Sequence, residues 1–336
     1  MASLLHISRS VACRFGVTVG AMLVAVLLCD RAWAADELGY DADDYLNHSY
    51  AAKLWEGYRD PGVRFWSEPP GPLALTFDWR VLTMFDSHTS HQFGTPPQSG
   101  GPQYAPLSKL DWSLDSTWTG FRFGLEEANS AVHFEWLTPM GQGINGGMYD
   151  YDWNINDPRN DPTRLDSLSR SSEQWNEGQM LDIEYEFRLL KCPLGLPVDL
   201  WPMIGFRWQR FDMTAYAGNQ LFSTGGIVPP VGPFGPPFDG DGITFNQQYS
   251  IGYLGAQFRG RLETRFLPPV AWTLQGDWGY TQANNVDHHL LRDEGNWYAM
   301  EDTHGGCWHV SLTTEALFCR DRLSIGLQAD YTLRGQ

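Results

Sequence analysis

The sequence predicts an all-β protein, an antiparallel transmembrane up-and-down β-barrel. The 336 residues include 35 Gly and 14% aromatic residues but only 19% charged residues, a composition that suits a β-rich chain with many turns. Several segments alternate apolar and polar residues with a period of two, which is the pattern of strands. After residue 34, no uncharged apolar run is long enough for a spanning helix, so a membrane form of this chain must be a barrel.

The N-terminus has the features of a secretory signal peptide. Arg9 and Arg14 precede an uncharged stretch at residues 15–29, and the sequence Ala32-Trp33-Ala34 has the small-x-small pattern of a cleavage site. The apolar stretch is too short for a membrane anchor. We therefore expect residues 1–34 to be removed on export.

The remaining chain divides into two parts. Residues 35–72 are acidic, aromatic and Pro-rich and are assigned to no element, whereas residues 73–336 are expected to form the barrel. The whole chain has 23 Lys and Arg against 40 Asp and Glu, a net charge of -17. This balance argues against a nucleic-acid-binding function, which needs a basic surface.

Nine strands can be identified by their alternation. In the clearest case, Ile183 and Tyr185 alternate with acidic residues that would face the other side of the sheet. A bulge is expected near Ser116, where the apolar parity shifts. The expected strands are residues 73–85, 107–125, 130–138, 181–189, 200–209, 245–264, 270–281, 306–318 and 323–333.

The lengths of the connections favour a barrel over a soluble β-sandwich, which would also show alternating strands. Short connections at 127–130, 191–197, 266–269 and 320–321 alternate with long ones at 86–106, 139–179, 212–244 and 282–305. In an up-and-down barrel this order places all short turns at one rim and all long loops at the other, as in outer-membrane barrels. Bacterial barrels have even strand numbers, so one more strand is expected, either from residues 36–72 or beyond a truncated C-terminus.

Two acidic residues at the start of a long connection are candidates for chemistry. On an extended chain Asp150 and Asp152 point the same way, and close carboxylates can bind and polarise a water between them. A calcium loop is an alternative, because Asn154 and Asn156 continue a Dx[DN]x[DN] pattern, although Ile155 replaces the Gly that such a loop requires.

A second candidate group follows the seventh expected strand. Continuing the strand's alternation places Asp287 and His289 side by side on the inward face. A carboxylate beside an imidazole orients it as a general base for a water. Zinc is an alternative, but the spacing matches no known zinc pattern. Its ligands would be drawn from His288, His289, His304, Cys307 and His309.

Three segments resemble the omptin family, the outer-membrane aspartyl-type endopeptidases of Gram-negative bacteria. The segment Ser108–Trp112 resembles the second-strand segment of the family, and Gly146–Trp153 resembles its first catalytic motif. Asp287-His288-His289 resembles its Asp-x-His dyad. The order of the segments agrees with the family, and the resemblance extends from about Leu73 to the end of the chain.

The resemblance implies a ten-stranded barrel that protrudes above the outer membrane, with an active site in an extracellular groove. It implies that His289, held by Asp287, activates a water that attacks the scissile carbonyl. Asp150 and Asp152 would position this water and help to stabilise the tetrahedral intermediate. The resemblance implies neither a catalytic metal nor a cofactor.

The resemblance also bears on substrates and lipid. Family members cut beside basic residues and require lipopolysaccharide as an activator, and Arg210 and Arg261 fall where the family places arginines that bind lipid phosphates. Met148 and Asn285 are implied as substrate-binding residues. The family has an acidic residue at the position of Asn285, so the preference for basic residues is an open question. A mature charge of about -19, obtained from the total charge of -17 without residues 1–34, would still attract cationic polypeptides.

An outer-membrane endopeptidase is therefore the leading hypothesis. The alternative is a catalytically inactive outer-membrane barrel that acts as a porin, adhesin or structural surface protein, although about ten strands leave little open channel. A lipid hydrolase is a third class, but Ser311 and Ser324 have no nucleophile motif around them.

Overall fold

The computed structural model describes residues 10–17, 73–93, 108–153, 165–191, 198–222, 234–262, 268–291, 297–318 and 323–335. All strands belong to one antiparallel sheet. The strands are β1 Ser10–Val17, β2 Ala74–Phe85, β3 His88–Phe93, β4 Ser108–Ser113, β5 Thr117–Glu126, β6 Ser130–Pro139, β7 Met148–Trp153, β8 Leu165–Phe187, β9 Leu190–Lys191, β10 Val198–Phe222, β11 Asp241–Leu262, β12 Val270–His289, β13 Trp297–Phe318 and β14 Leu323–Gly335.

The sheet closes on itself through a pairing between β8 and β10. The resulting ring contains ten strands, in the order β8-β6-β5-β2-β1-β14-β13-β12-β11-β10. On one side of the ring β3, β4 and β7 pair with one another and with β8, and they extend this part of the wall towards one rim. The predicted antiparallel barrel is therefore confirmed.

The strand β1 completes the ring. Ser10–Val17 pairs with both β14 and β2, so the even strand number is met by a segment from within the expected signal peptide. Removal of residues 1–34 would take this strand out of the ring, and the signal peptide stays a prediction. Residues 35–72 lie outside the described part of the chain.

The predicted facing of the membrane strands is correct. On β8, Ile183 and Tyr185 are exposed on the outer surface, while Glu184 and Glu186 are buried inside. The other assigned strands follow the same rule, and the outer surface therefore carries an apolar band suited to lipid. Its members include Phe77, Trp79, Phe123, Ile204, Phe206, Leu254, Phe258, Leu274, Trp278, Trp308, Leu312 and Tyr331.

The extents of the strands and loops were predicted wrongly. The segments expected as long loops in fact contain strands, and the rim that they form is called the upper rim here. They include β3 and β7, the upper halves of β8 and β10, and the adjoining ends of β12 and β13. These strand portions extend beyond the apolar band. They need no apolar outer face there, so the alternation that identifies membrane strands is absent from the sequence.

The apolar face of the wall changes sides above the band. On β4 and β5 the even-numbered residues face inward throughout, and they include the buried Leu110, Trp112 and Trp118 in the upper part. The bulge expected near Ser116 is therefore wrong, because the facing of the chain does not change there, although Leu114–Ser116 does separate β4 from β5. The side of the wall that carries apolar residues changes instead. Below Leu114–Ser116 the apolar side chains face lipid, and above it they face a core inside the barrel.

A network of charged side chains fills the lower lumen. The Arg207 guanidinium donates two hydrogen bonds to the Asp277 carboxylate, both 3.0 Å long, and a third of 2.6 Å to Asp182. His309 then joins Asp277 to Asp330 through its two ring nitrogens, at 2.6 and 3.0 Å. These contacts connect five strands across the lumen.

Further ion pairs continue this network around the wall. Arg80 contacts Glu135, and Glu186 contacts both His133 and Arg259. The cavity left among the charged groups has a volume of about 50 Å³. The lumen is therefore closed by paired charges, which disfavours an open pore. None of the described residues forms a helix long and apolar enough to cross a membrane.

We expect Arg207→Ala to destabilise the barrel strongly. Removing the guanidinium leaves the buried carboxylate of Asp277 without its bidentate partner, and losing one member of a buried pair typically costs about 3–5 kcal/mol. Arg210→Ala on the same strand is the matched control, because Arg210 is partly exposed on the outer face and its loss should cost below about 1 kcal/mol. Urea midpoints of the refolded variants measure both effects, and equal midpoints would contradict the proposed importance of the network.

Candidate active site

Two glycines at the start of β7 set the backbone path that turns the first pair of acidic residues inward. Gly146 has a φ of +115°, a backbone conformation that residues with a side chain rarely adopt. At Gly147 the limit is space, because a Cβ atom there would lie 2.7 Å from the Ser171 carbonyl oxygen. The chain therefore enters β7 tightly against β8. From this start Asp150 and Asp152 face inward.

Hydroxyl groups of neighbouring strands hold these carboxylates. Ser108 Oγ donates to Asp150 Oδ1 at 3.2 Å, and Ser167 Oγ donates to Asp152 Oδ2 at 3.0 Å. The two residues are two positions apart on one strand, so their Cα atoms are separated by about 6.6 Å. This spacing allows both carboxylates to contact one water or one substrate group.

The second pair lies at the end of β12. His289 Nε2 is 2.9 Å from Asp287 Oδ2, and both side chains are buried. A neutral imidazole that donates from Nε2 to the carboxylate keeps its Nδ1 as a proton acceptor. The second carboxylate oxygen of Asp287, Oδ1, is buried without a hydrogen-bond partner. The predicted adjacency of these two residues is correct.

Aromatic and imidazole rings connect the two pairs across the mouth of the barrel. In the sheet register His91 lies opposite Leu110, which lies opposite Asp150, while Phe245 lies opposite Asp287. The ring centroids of His91 and Phe245 are 4.6 Å apart. Trp112 stacks on Phe245 with ring centroids 5.2 Å apart. The rings of His91, Phe245 and Trp112 therefore form one layer, called here the aromatic floor, and both acidic pairs border it.

Three polar residues form a row directly below the dyad. Gln247, Asn285 and Glu301 lie opposite one another on β11, β12 and β13, and all three face inward. Asn285 Nδ2 donates to Glu301 Oε2 at 3.2 Å, and His91 Nδ1 is 3.1 Å from the same oxygen. Of the two predicted substrate-binding residues, Asn285 therefore borders the dyad.

The other predicted substrate-binding residue, Met148, has a different environment. It is buried in the aromatic core of the upper barrel and lies opposite Ser171, two residues before Asp150 on β7. It therefore packs beneath the first acidic pair.

Sequence reasoning missed three contributors to this site. His91, Phe245 and Glu301 were not proposed as functional residues, and His91 and Glu301 lie in segments expected as loops. Their mutual contacts join strands that are distant in sequence. The inward position of Glu301 could have been predicted from the sequence. The inward-facing residues of β13 are odd-numbered, and extending that alternation towards the start of the strand reaches Glu301.

The metal alternatives receive no geometric support in the described part of the chain. His288 stacks on Tyr298, the ring of His304 lies tilted 6.0 Å from that of Tyr280, and His309 lies in the lumen network. No group of three or more His, Cys, Asp or Glu residues there is arranged to hold a metal ion. Cys307 is buried with a free thiol. Asn154 and Asn156 of the calcium pattern, together with Cys192 and Cys319, lie outside the described residues.

The two predicted lipid-binding arginines do not form one site. Arg210 lies on the outer surface, where it contacts Glu177 at 3.1 Å and Asp212 at 3.5 Å. Arg210 is opposite Gln248, which is 13 residues from Arg261 along β11, a separation of about 43 Å. Arg261 also has the parity of the inward-facing residues of β11. Of the two arginines, Arg210 is therefore the one on the outer surface of the barrel.

A buried carboxyl group accompanies the site in the upper barrel. Burial raises the pKa of Glu173 to about 8, and the nearby charge of Asp115 acts in the same direction. The Ser113 N–H, which donates to Glu173 Oε1 at 3.2 Å, lowers this pKa but does not offset the effect of burial. Glu173 is therefore expected to be largely protonated at neutral pH.

Comparisons with known proteins agree with this architecture. A sequence profile described as the Omptin family matches residues 102–318. The crystal structure of the outer membrane protease OmpT from Escherichia coli matches with a TM-score of 0.54 and 16% sequence identity, covering 82% of this chain and 96% of that one. At this identity the structural match shows a shared fold. No curated protein matches the chain significantly.

Glu173 should make stability depend on pH. Its pKa is raised in the folded protein, so the favourable contribution of the neutral form is complete below about pH 4.5 and is lost as pH rises through about 8. Glu173→Gln should match the original protein near pH 4.5 and exceed its stability above pH 8. Urea midpoints measured from pH 4 to 9 test this, and parallel profiles for the two proteins would contradict it.

Proposed function

The chain belongs to the omptin family, and on this basis we propose that it is an endopeptidase that hydrolyses extracellular polypeptides with an activated water. The protein is an outer-membrane β-barrel of the OmpT fold. The observation that carries the proposal is the buried Asp287–His289 pair, which shares one aromatic floor with Asp150 and Asp152.

In the proposed reaction His289 acts as the general base. Asp287 holds the imidazole and stabilises its charged form, so the ring can accept a proton from water as the water attacks the scissile carbonyl. The imidazolium then returns the proton to the leaving amine. This route consumes one water molecule for each peptide bond and needs no other reactant. It forms no covalent bond between enzyme and substrate.

Asp150 and Asp152 act from the opposite wall. Two inward-facing carboxylates on residues whose Cα atoms are about 6.6 Å apart can both accept hydrogen bonds from the attacking water and fix its position. Their Ser108 and Ser167 partners restrict the carboxylate orientations. In this proposal the substrate lies across the mouth of the barrel, between the two walls.

The substrates proposed here are polypeptides, with a preference for cationic ones. The net charge of the whole chain is -17, and a field of this sign raises the local concentration of cationic peptides. Lipopolysaccharide is proposed as an activator that contacts Arg210 on the outer wall.

An inactive surface protein is the alternative. The charge network fills the lumen, so among such proteins an adhesin or structural role fits better than a porin. A lipid hydrolase is disfavoured because Ser311 lies opposite Gln275 and Ser324 opposite Leu317, both many residues below the dyad.

Replacing either residue of the dyad should strongly reduce the rate of peptide cleavage. His289→Ala and Asp287→Asn should each lower the rate by about 10²–10⁴-fold, the usual contribution of a general base. His288→Ala is the matched control, because His288 has the outward parity and stacks on Tyr298. The measurement is hydrolysis of a quenched peptide library by refolded protein that retains its heat-modifiable gel mobility. Undiminished cleavage by His289→Ala would place the base elsewhere.

Lipopolysaccharide should increase the activity of the refolded protein, and Arg210→Ala should weaken that increase. A guanidinium can donate paired hydrogen bonds to a phosphate group, and Arg210 is the predicted arginine that faces outward. Activity is titrated with lipopolysaccharide for both proteins. Equal titration curves would contradict a role for Arg210 in lipid binding. Full activity without lipid would contradict the role of lipopolysaccharide as an activator.

A further inference from the structure

A bulge in the upper wall of the barrel borders a cavity on the outer surface. The register between β8 and β10 shifts between Tyr216 and Asn219, where β10 has one residue more than β8. Ala217 in this bulge has a φ of +50°, a left-handed conformation that few residues other than glycine adopt. The cavity beside it has a volume of about 260 Å³, several times that of the cavity in the lower lumen. It has room for several water molecules or for a small ligand.

The side chains at this cavity offer hydrogen-bond donors. Arg170 and Ser172 are exposed on the outer face of β8, and Asn219 lies opposite Arg170, so its side chain shares that face. A guanidinium carries only donors, and the hydroxyl and amide groups each add at least one more. Within the described ranges, no side-chain hydrogen bond occupies Ser172 or Asn219. These donors are therefore available to a ligand.

Arg170 also brings a positive charge that the described part of the protein leaves unpaired. Its guanidinium lies over the Tyr149 ring, 5.7 Å from the centroid, and no described carboxylate forms an ion pair with it. Lys109, on the neighbouring part of the wall, is instead paired with Asp111 at 2.7 Å. In a chain with a net charge of -17, an unpaired guanidinium beside a cavity indicates an anionic ligand, because hydrogen bonds between a guanidinium and an oxyanion are strong.

The other walls of the cavity favour a ligand larger than a simple oxyanion. Phe234 supplies an exposed aromatic ring, and Gly146 leaves its side of the cavity without a side chain. An aromatic ring can pack against the C–H groups of a sugar, while the polar side chains can bind its hydroxyl groups. A sugar that carries a carboxylate or phosphate group therefore matches the charge, the donors and the apolar wall of the cavity.

We propose that this cavity is a binding site for an anionic saccharide. Its carboxylate or phosphate group contacts the Arg170 guanidinium, and its hydroxyl groups contact Ser172 and Asn219. One face of the sugar ring packs on Phe234. The site lies on the outside of the upper wall, beyond the apolar band, so it is separate from the mouth that holds the acidic pairs and from the lipid-facing surface. It does not depend on the proposed peptidase activity.

Binding of soluble sugars to the refolded protein tests the proposal. The probes are galacturonic acid and glucose 1-phosphate, with galactose and glucose as their neutral counterparts. Affinities are measured by titration calorimetry in lipid-free detergent micelles. At least one anionic probe should bind about 10- to 100-fold more tightly than its neutral counterpart, the usual range for hydrogen bonds to a charged group. Because the probes carry no acyl chain, this preference would assign the site to the saccharide and not to a lipid headgroup.

Three variants make the test specific. Arg170→Gln should reduce the preference for the anionic probe to below about threefold, because the charged donor is lost. Lys109→Gln is the control, because it removes a cation from the neighbouring part of the wall, and it should preserve the preference. Ser172→Trp keeps the guanidinium but fills the cavity from an exposed position, so it should abolish binding. This last variant also serves if Arg170→Gln does not refold.

Several outcomes would overturn the proposal. They are equal affinities for the charged and neutral sugars, an unchanged preference in Arg170→Gln, and undiminished binding in Ser172→Trp. Inorganic phosphate or acetate that binds as tightly as the corresponding sugar would show a site for a simple anion and would also overturn the saccharide assignment. Peptide cleavage by the same preparation reports separately on the proposed function.

Discussion

Closure of the hydrogen-bonded ladder is the constraint on which the rest of this structure depends. Lipid offers no partners to backbone N–H and C=O groups, so a sheet that crosses a membrane must pair every strand on both edges. The pairing of β8 with β10 and the ring of ten strands meet this requirement. Closure also fixes which side chains face lipid and which face the lumen, because residues alternate along every strand.

The interior is divided into two layers with different chemistry. In the lower layer, lipid receives the apolar side chains, and the lumen receives charges that neutralise one another around Arg207. In the upper layer the outer surface is free to be polar, and the apolar side chains turn inward around Trp112, Trp118 and Phe245. The catalytic candidates border this upper core, which supports their side chains from below.

The site itself exists only because distant strands share one mouth. Asp150 and Asp287 are separated by 137 positions in the chain, yet the contacts of Phe245 with His91 and Trp112 connect their neighbourhoods. A charge network below and an aromatic floor above give both walls rigid support. Such support is what a site needs to hold a water between two pairs of residues.

The sequence by itself determined the strand-rich barrel, the facing of its membrane strands and the pairing of Asp287 with His289, because each follows from alternation along one strand. It did not determine the upper strands, since their outer faces need not be apolar and the pattern disappears there. The tertiary structure alone decided that Arg210 and Arg261 lie far apart and that His91 and Glu301 adjoin the dyad. These relations depend on register between strands, and register is set by the closure of the whole ring.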